Sequence, residues 1–245
     1  MSKRAQEQRQ TARMVREQIA REKRRKRTLW IAVGTVAVLV IGGMIGYAIY
    51  AGNKPATWNT PANANAGQDG IVTGSGPVAV DIYQDYLCPY CKQLHDSAGS
   101  QIEQMATDNK ITLTIHPIAI LDSRSTNQYS TRAAAAAGCA SDGGKFLAYN
   151  DALYGNQPAE GGAGPSDDEL IATGKNVGLT DTFATCVQDG RYMTWPVHTT
   201  DAASARGVSG TPSVFVNGTK VNPTLADIQK AVGAAAPASG SPSAS

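Results

Sequence analysis

The sequence predicts an α/β domain with a helical insertion, preceded by a single transmembrane helix. Three observations lead there. An uncharged apolar stretch, residues 29–50, follows a basic head. Two β-type runs, residues 77–83 and 111–116, bracket apolar positions at helical spacing, the pattern of a βαβ unit. Two further β-type runs flank Asn217-Gly218 near the end of the chain, after a long alanine-rich helical block.

The charge is unevenly spread. Residues 1–28 carry 11 Lys+Arg against 3 Asp+Glu, residues 29–50 carry none, and the rest of the 245-residue chain carries 11 against 17. The overall charge of +2 therefore conceals a basic head on an acidic body. An acidic body excludes a nucleic-acid reader. The run Lys23-Arg24-Arg25-Lys26-Arg27 abuts the apolar stretch, where cytoplasmic positive charge belongs. As a helix rising about 1.5 Å per residue, residues 29–50 reach about 33 Å, enough to cross a bilayer. Trp30 at one end and Tyr47 and Tyr50 at the other suit the two interfaces. The run exceeds a signal-peptide core and no small-x-small cleavage site follows it. The expectation is an uncleaved single-pass anchor in the cell membrane, with a cytoplasmic N-terminus and everything after Tyr50 extracytoplasmic.

Five segments follow from this reading: a basic cytoplasmic segment (1–28), the transmembrane helix (29–50), a flexible linker rich in Pro, Asn, Ala and Gly (51–70), one folded domain (71–232), and a disordered tail (233–245). In the domain a strand over 77–83 leads to a helix opening at the Cys88-Pro89-Tyr90-Cys91 motif. Leu94, Ala98, Ile102, Met105 and Ala106 continue its apolar face. After the strand over 111–116 comes the insertion, about 125–190, in which Ser166-Asp167-Asp168-Glu169 marks a helix start. Trp195-Pro196 marks a break before another helix ending near Gly207. The runs 213–216 and 219–221 form a hairpin through a type I′ Asn-Gly turn. Leu225, Ile228 and Val232 then line one side of a closing helix.

Four cysteines in an exported domain allow three pairings. Cys88 and Cys91 lie within one helical turn, whereas Cys139 and Cys186 both fall in the helical block. The expected active pair is therefore Cys88 with Cys91, and the expected structural disulfide is Cys139 with Cys186. Closing a loop of about 48 residues is worth on the order of 4 kcal/mol in the chain-entropy model. Pro89 suits the first helical position, so the Cys88 sulfur faces unpaired backbone N–H groups that favour thiolate over thiol. Only the thiolate attacks disulfides, and a stabilised thiolate makes the reduced form easier to reach. Cys91, one turn further in, is placed to resolve a mixed disulfide. A metal would need a second vicinal pair or clustered histidines. Cys139 and Cys186 lack that spacing and His95, His116 and His198 are scattered, so no metal and no cofactor are expected, and His95 is read as a helix-surface residue.

The second signal is Gly207-Val-Ser-Gly-Thr-Pro-Ser-Val-Phe-Val216. The motif at Cys88, the helical insertion after the second strand and Gly210-Thr211-Pro212-Ser213 before the hairpin together resemble the DsbA-like branch of the thioredoxin superfamily, in its membrane-anchored actinobacterial form. The resemblance spans nearly all of residues 71–232. It implies a thioredoxin fold, an active-site motif that includes Pro89 and Tyr90, and a cis Thr211–Pro212 peptide against the active pair. Residue 211 would then offer its backbone to an extended substrate, which tolerates many side chains. It also implies a second bridge comparable to Cys139–Cys186, and a buried acid to handle the proton of Cys91. Asp81 in the first strand and Asp85 before the motif are both candidates for that acid.

The leading functional expectation is a protein thiol-disulfide oxidoreductase that oxidises cysteine pairs of exported proteins. A quinone-linked membrane partner of the DsbB or vitamin K epoxide reductase type would reoxidise it. The alternatives are an extracytoplasmic reductase or isomerase and, third, a non-enzymatic metal- or partner-binding module.

Overall fold

The computed structural model describes residues 57–236, together with Trp30 and residues 40–44, which are helical. The chain divides into two units, 1–56 and 57–245. Most of the expected transmembrane segment and all of the basic head lie outside the described residues. Among the described residues no helix is long and apolar enough to cross a membrane.

The second unit is built on β1 (Ile71–Thr73), β2 (Val78–Gln84), β3 (Ile111–Pro117), β4 (Ser213–Val216) and β5 (Thr219–Val221), ordered β1-β3-β2-β4-β5. β2 and β3 are parallel, with Val80 opposite Leu113 and Ile82 opposite Ile115. Parallel neighbours need a crossover. Here α1 (Pro89–Leu94), a π-helical turn (His95–Gly99) and α2 (Ser100–Thr107) supply it. β4 and β5 form the hairpin, and Asn217 and Gly218 both take the positive φ (45° and 79°) that a type I′ turn demands. β1 is three residues long and pairs antiparallel to β3. It is too short to carry a period-two signal, and the sequence did not reveal it.

The insertion consists of α3 (Tyr129–Asp142), α4 (Phe146–Gly155), α5 (Asp167–Asn176) and α6 (Asp181–Gln188). The helix α7 (Trp195–Ala205) precedes the hairpin and α8 (Leu225–Ala235) follows it. Ser166 caps α5 in a reciprocal box with Glu169, as its sequence foretells, and Thr224 caps α8 by accepting from the Asp227 N–H. α8 runs past Val232, so the domain ends later than expected; residues 237–245 lie outside the described residues.

Strand alternation sorts the sheet's two faces. Val78, Val80 and Ile82 join Leu113, Ile115, Leu94, Ile102 and Ile228 in the main core, which continues into the insertion through the buried run Ala133–Ala137. The opposite face packs Tyr83, Ile118 and Phe215 on Ala203 of α7.

One expectation needs correction. Residues 57–70, read as the latter part of a flexible linker, lie against the domain. Trp58 stacks on His198 with centroids 3.7 Å apart, and Asn59 Nδ2 donates to the Arg191 carbonyl at 2.8 Å. Trp195 Nε1 donates to the Gln68 carbonyl at 2.7 Å. The composition has no core-forming periodicity, yet two aromatic rings and a handful of backbone hydrogen bonds suffice to dock it onto a surface already formed.

Candidate active site

β2 ends at Gln84, and the turn Asp85-Tyr86-Leu87 brings Cys88 to the head of α1. Cys88 has extended backbone and stands at the N-cap, with Pro89 inside the helix. The helix follows from this chemistry, because a proline lacks the N–H that the first turn could not use. The Cys91 and Lys92 N–H groups both reach the Cys88 carbonyl, at 3.1 and 3.2 Å.

The two thiols are unpaired with each other, and their environments differ. A hydrogen bond from the Cys91 thiol, helped by Thr211 and by the backbone N–H groups of Cys91 and Tyr90, holds Cys88 down at about 6 against its ordinary 9.0, although burial opposes this. Burial pushes Cys91 well above its ordinary value, and its role as donor to Cys88 adds to the rise. One sulfur is therefore a ready nucleophile and the other a protected thiol.

The Thr211–Pro212 peptide is cis. The Cys88 Sγ lies 3.3 Å from the Thr211 carbonyl oxygen, to which its S–H donates. The loop before β4 thus meets the head of α1 across 123 residues of sequence. Pro212 and Cys91 also line a cavity of about 30 Å³, with Ile82, Gln84, Glu103 and Asn150 among its other walls. Tyr90, the remaining motif residue, is 70% exposed beside the sulfur.

Of the two candidate acids, Asp85 is the one that is buried. It is fully buried and accepts from the Leu87 N–H (2.8 Å), the Leu121 N–H (2.9 Å) and Ser130 Oγ (2.6 Å), so one carboxylate ties the active-site turn to the loop after β3 and to α3. Burial outweighs these bonds and pushes it up to about 6. Asp81 points to the other face of the sheet. It pairs there with His116 Nε2 at 3.3 Å and Arg206 at 3.1 Å, away from the cysteines, because one residue along a strand reverses the side chain's face.

Two groups near the motif carry no signal in the sequence. Gln157 Nε2 donates to the Tyr86 and Cys88 carbonyls, at 2.9 and 3.0 Å, and Tyr154 Oη donates to the Asp85 carbonyl at 3.4 Å. Both come from α4 and its C-terminal exit, where nothing local signals a role. His95 departs from a bland surface residue: its Nε2 meets Asp151 at 2.8 Å and its Nδ1 meets Asp96 at 3.4 Å. Glu103 is half-buried beside them. With both ring nitrogens engaged by carboxylates, His95 reads as the centre of an ion-pair cluster. Among the described residues no histidine or acid joins Cys88 and Cys91 in a set that could grip an ion.

Cys139 of α3 and Cys186 of α6 are joined in a disulfide, buried within the insertion.

Comparison with known proteins agrees with this geometry. The sequence model of a family described as Thioredoxin matches residues 68–234. The serine/threonine-protein kinase PknE of Mycobacterium tuberculosis is 30% identical over 167 residues, covering 63% of this chain and 30% of the kinase. The chain thus spans under a third of the length of the curated relatives it matches. Among solved structures, the reduced form of a disulfide bond oxidoreductase (DsbG) from Mycobacterium tuberculosis is 30% identical with a TM-score of 0.57, covering 63% of this chain and 80% of that one. Reduced DsbA from the same organism is 27% identical at the same TM-score, covering 68% and 99%.

Proposed function

This chain belongs to the thioredoxin family, and we propose that it is a membrane-tethered, extracytoplasmic thiol-disulfide oxidoreductase that oxidises cysteine pairs of exported proteins through Cys88 and Cys91. The observation that carries the reading is geometric: Cys88 stands at the N-cap of α1 with its sulfur 3.3 Å from the carbonyl of the cis Thr211–Pro212 peptide, and Cys91 lies buried one turn further in; the opposite displacement of the two thiols accords with it.

The chemistry follows from that asymmetry. In the oxidised enzyme a substrate thiolate attacks the Cys88 sulfur. The Cys88–Cys91 bond breaks, and Cys91 leaves with the electron pair and takes up a proton. The substrate's second thiolate then attacks the mixed disulfide, forming the substrate disulfide and releasing Cys88 as a thiolate. A thiolate that titrates near 6 is a good leaving group, so release favours oxidised substrate and reduced enzyme. Thr211 supplies backbone to an extended chain laid beside the sulfur, and Tyr90 offers a ring to it. The enzyme ends with two electrons that must go elsewhere. A quinone-linked membrane oxidant of the DsbB or vitamin K epoxide reductase type would accept them.

Membrane tethering rests on the apolar stretch behind a basic head. The reductase or isomerase reading differs in direction only. The potential of the pair separates the two: a value toward the roughly −120 mV of a strong oxidant is expected, and one near the roughly −270 mV of thioredoxin overturns the oxidase. Protease accessibility in intact cells tests the topology, with cleavage beyond residue 57 from outside expected.

A further inference from the structure

We propose that His95, Glu103 and Asp151 form a zinc-binding site, with water as the fourth ligand, that clamps the insertion helix α4 to the crossover between β2 and β3. The inference stands on the fold and does not rest on the oxidoreductase reading.

Three segments supply the ligands. His95 comes from the π-helical turn, Glu103 from α2 and Asp151 from α4, and one ligand atom from each lies within 4.8 Å of the other two. His95 Nε2 is 2.8 Å from Asp151 Oδ1. Zinc holds imidazole nitrogen and carboxylate oxygen at about 2.0–2.2 Å in a tetrahedron, which puts its ligands roughly 3.4 Å apart. Side-chain adjustment therefore suffices to close the set on one ion. Calcium and magnesium prefer shells made of oxygen, so the imidazole nitrogen selects the transition-metal class.

Two features outside the cluster suit a metal. Gly99 lies one turn after His95 and one turn before Glu103, and a Cβ there would come 3.3 Å from the His95 ring, closer than side chains ordinarily pack. The missing side chain leaves the imidazole room between the two turns. Glycine is a costly choice inside a helix, and this clearance gives it a local reason. The ring is also oriented from behind. Its Nδ1 meets Asp96 Oδ1 at 3.4 Å, Lys92 Nζ holds that carboxylate at 3.1 Å, and the Tyr154 ring lies 4.9 Å away. A carboxylate on the far nitrogen fixes the tautomer that presents the Nε2 lone pair to a metal.

Charge points the same way. Among the described residues Glu103 forms no ion pair of its own, and burial followed by the facing Asp151 carboxylate pushes it up to about 7. One histidine is a small positive complement for two carboxylates, and a dication balances both. The histidines are scattered in sequence, which made a metal unexpected; folding surrounds one of them with acids from two other segments. Binding changes no oxidation state. Zinc enters, and any proton on His95 Nε2 or on the Glu103 carboxylate leaves.

The test is calorimetric titration of the full-length protein in detergent with zinc chloride, after oxidation has tied Cys88 to Cys91. With Cys139 and Cys186 already joined, no thiol remains to bind the metal. One equivalent is expected to bind at micromolar zinc. Glu103→Gln and Asp151→Asn should each weaken binding by at least the roughly 10–100-fold that loss of an outer-shell partner costs, and Asp96→Asn by about tenfold. Zinc at about a hundred times its Kd should shift the unfolding equilibrium about 100-fold in the parent protein, and roughly tenfold or less in Glu103→Gln at the same concentration. A parent protein with no saturable equivalent, unchanged zinc affinity in Glu103→Gln or in Asp151→Asn, or displacement of zinc by equimolar calcium overturns the inference.

Discussion

The molecule carries two cysteine pairs, and the same side chain does opposite things in them. Cys88 and Cys91 sit three residues apart at the head of a helix that follows a strand. One faces backbone N–H groups and the carbonyl of Thr211; the other is sealed into the core. Cys139 and Cys186 lie 47 residues apart on two helices of the insertion, buried and joined. The short pair closes almost no loop, so its disulfide adds little chain-entropy stabilisation and its reduced form is supported by hydrogen bonds to the sulfur. The long pair constrains a large loop. Reactivity thus follows from what surrounds the sulfur in its reduced state, and stapling follows from the length of chain enclosed.

The comparison can be broken most sharply at the short pair. Cys88→Ser is expected to abolish turnover, and Cys91→Ser to accumulate a substrate adduct through Cys88, both visible as mass shifts of trapped protein. Adducts on Cys91 in the Cys88→Ser protein would reverse the assignment. At the long pair, replacing Cys139 and Cys186 together by Ser should lower unfolding stability by on the order of 4 kcal/mol in denaturant titration. The potential of Cys88–Cys91 should stay unchanged. A shifted potential with unchanged stability would make the bridge a relay.

The linkage with pH sharpens the contrast. The folded value of Cys88 is depressed, so its contribution to the stability of the reduced protein is complete above about 9. It declines as pH falls and is lost below about 6, at up to about 1.4 kcal/mol per pH unit within that window. Cys91, displaced upward, opposes this only at still higher pH. The oxidised protein lacks both contributions. The difference in stability between reduced and oxidised forms is therefore expected to rise from pH 6 to 9, and a flat difference would refute the depressed Cys88.

Smaller again is Asp85→Asn, expected to cost about 1–3 kcal/mol, because an amide cannot accept from all three donors now on the carboxylate. Removing that charge should also lower the Cys88 titration further, read from thiolate absorbance. Smallest is Tyr90→Ala at an exposed site, expected to leave stability within about 0.5 kcal/mol and to alter only substrate preference.

Much of this was legible from residue order. The Asn217-Gly218 hairpin, the capping box at Ser166 and the helix opening at Pro89 are local signals, written by residues adjacent to the structure they make. Which of the two candidate acids is buried was not legible. Asp81 and Asp85 stood equal in sequence, and only the register of β2 turned Asp81 toward His116 while the turn after it buried Asp85. Residues 57–70 misled for a related reason: with no periodicity of their own, they dock through Trp58 and Gln68 on partners more than a hundred residues away.

The sequence by itself determined that a CxxC motif opens a helix after a strand, because helix starts and turns depend on neighbours in the chain. It also carried the charge asymmetry about residues 29–50. The tertiary structure alone decided which groups surround those sulfurs: the Thr211 carbonyl, Gln157, Asp85 and the cavity shared by Cys91 and Glu103. Burial and hydrogen bonding set a thiol's acidity, and both are properties of segments brought together by folding.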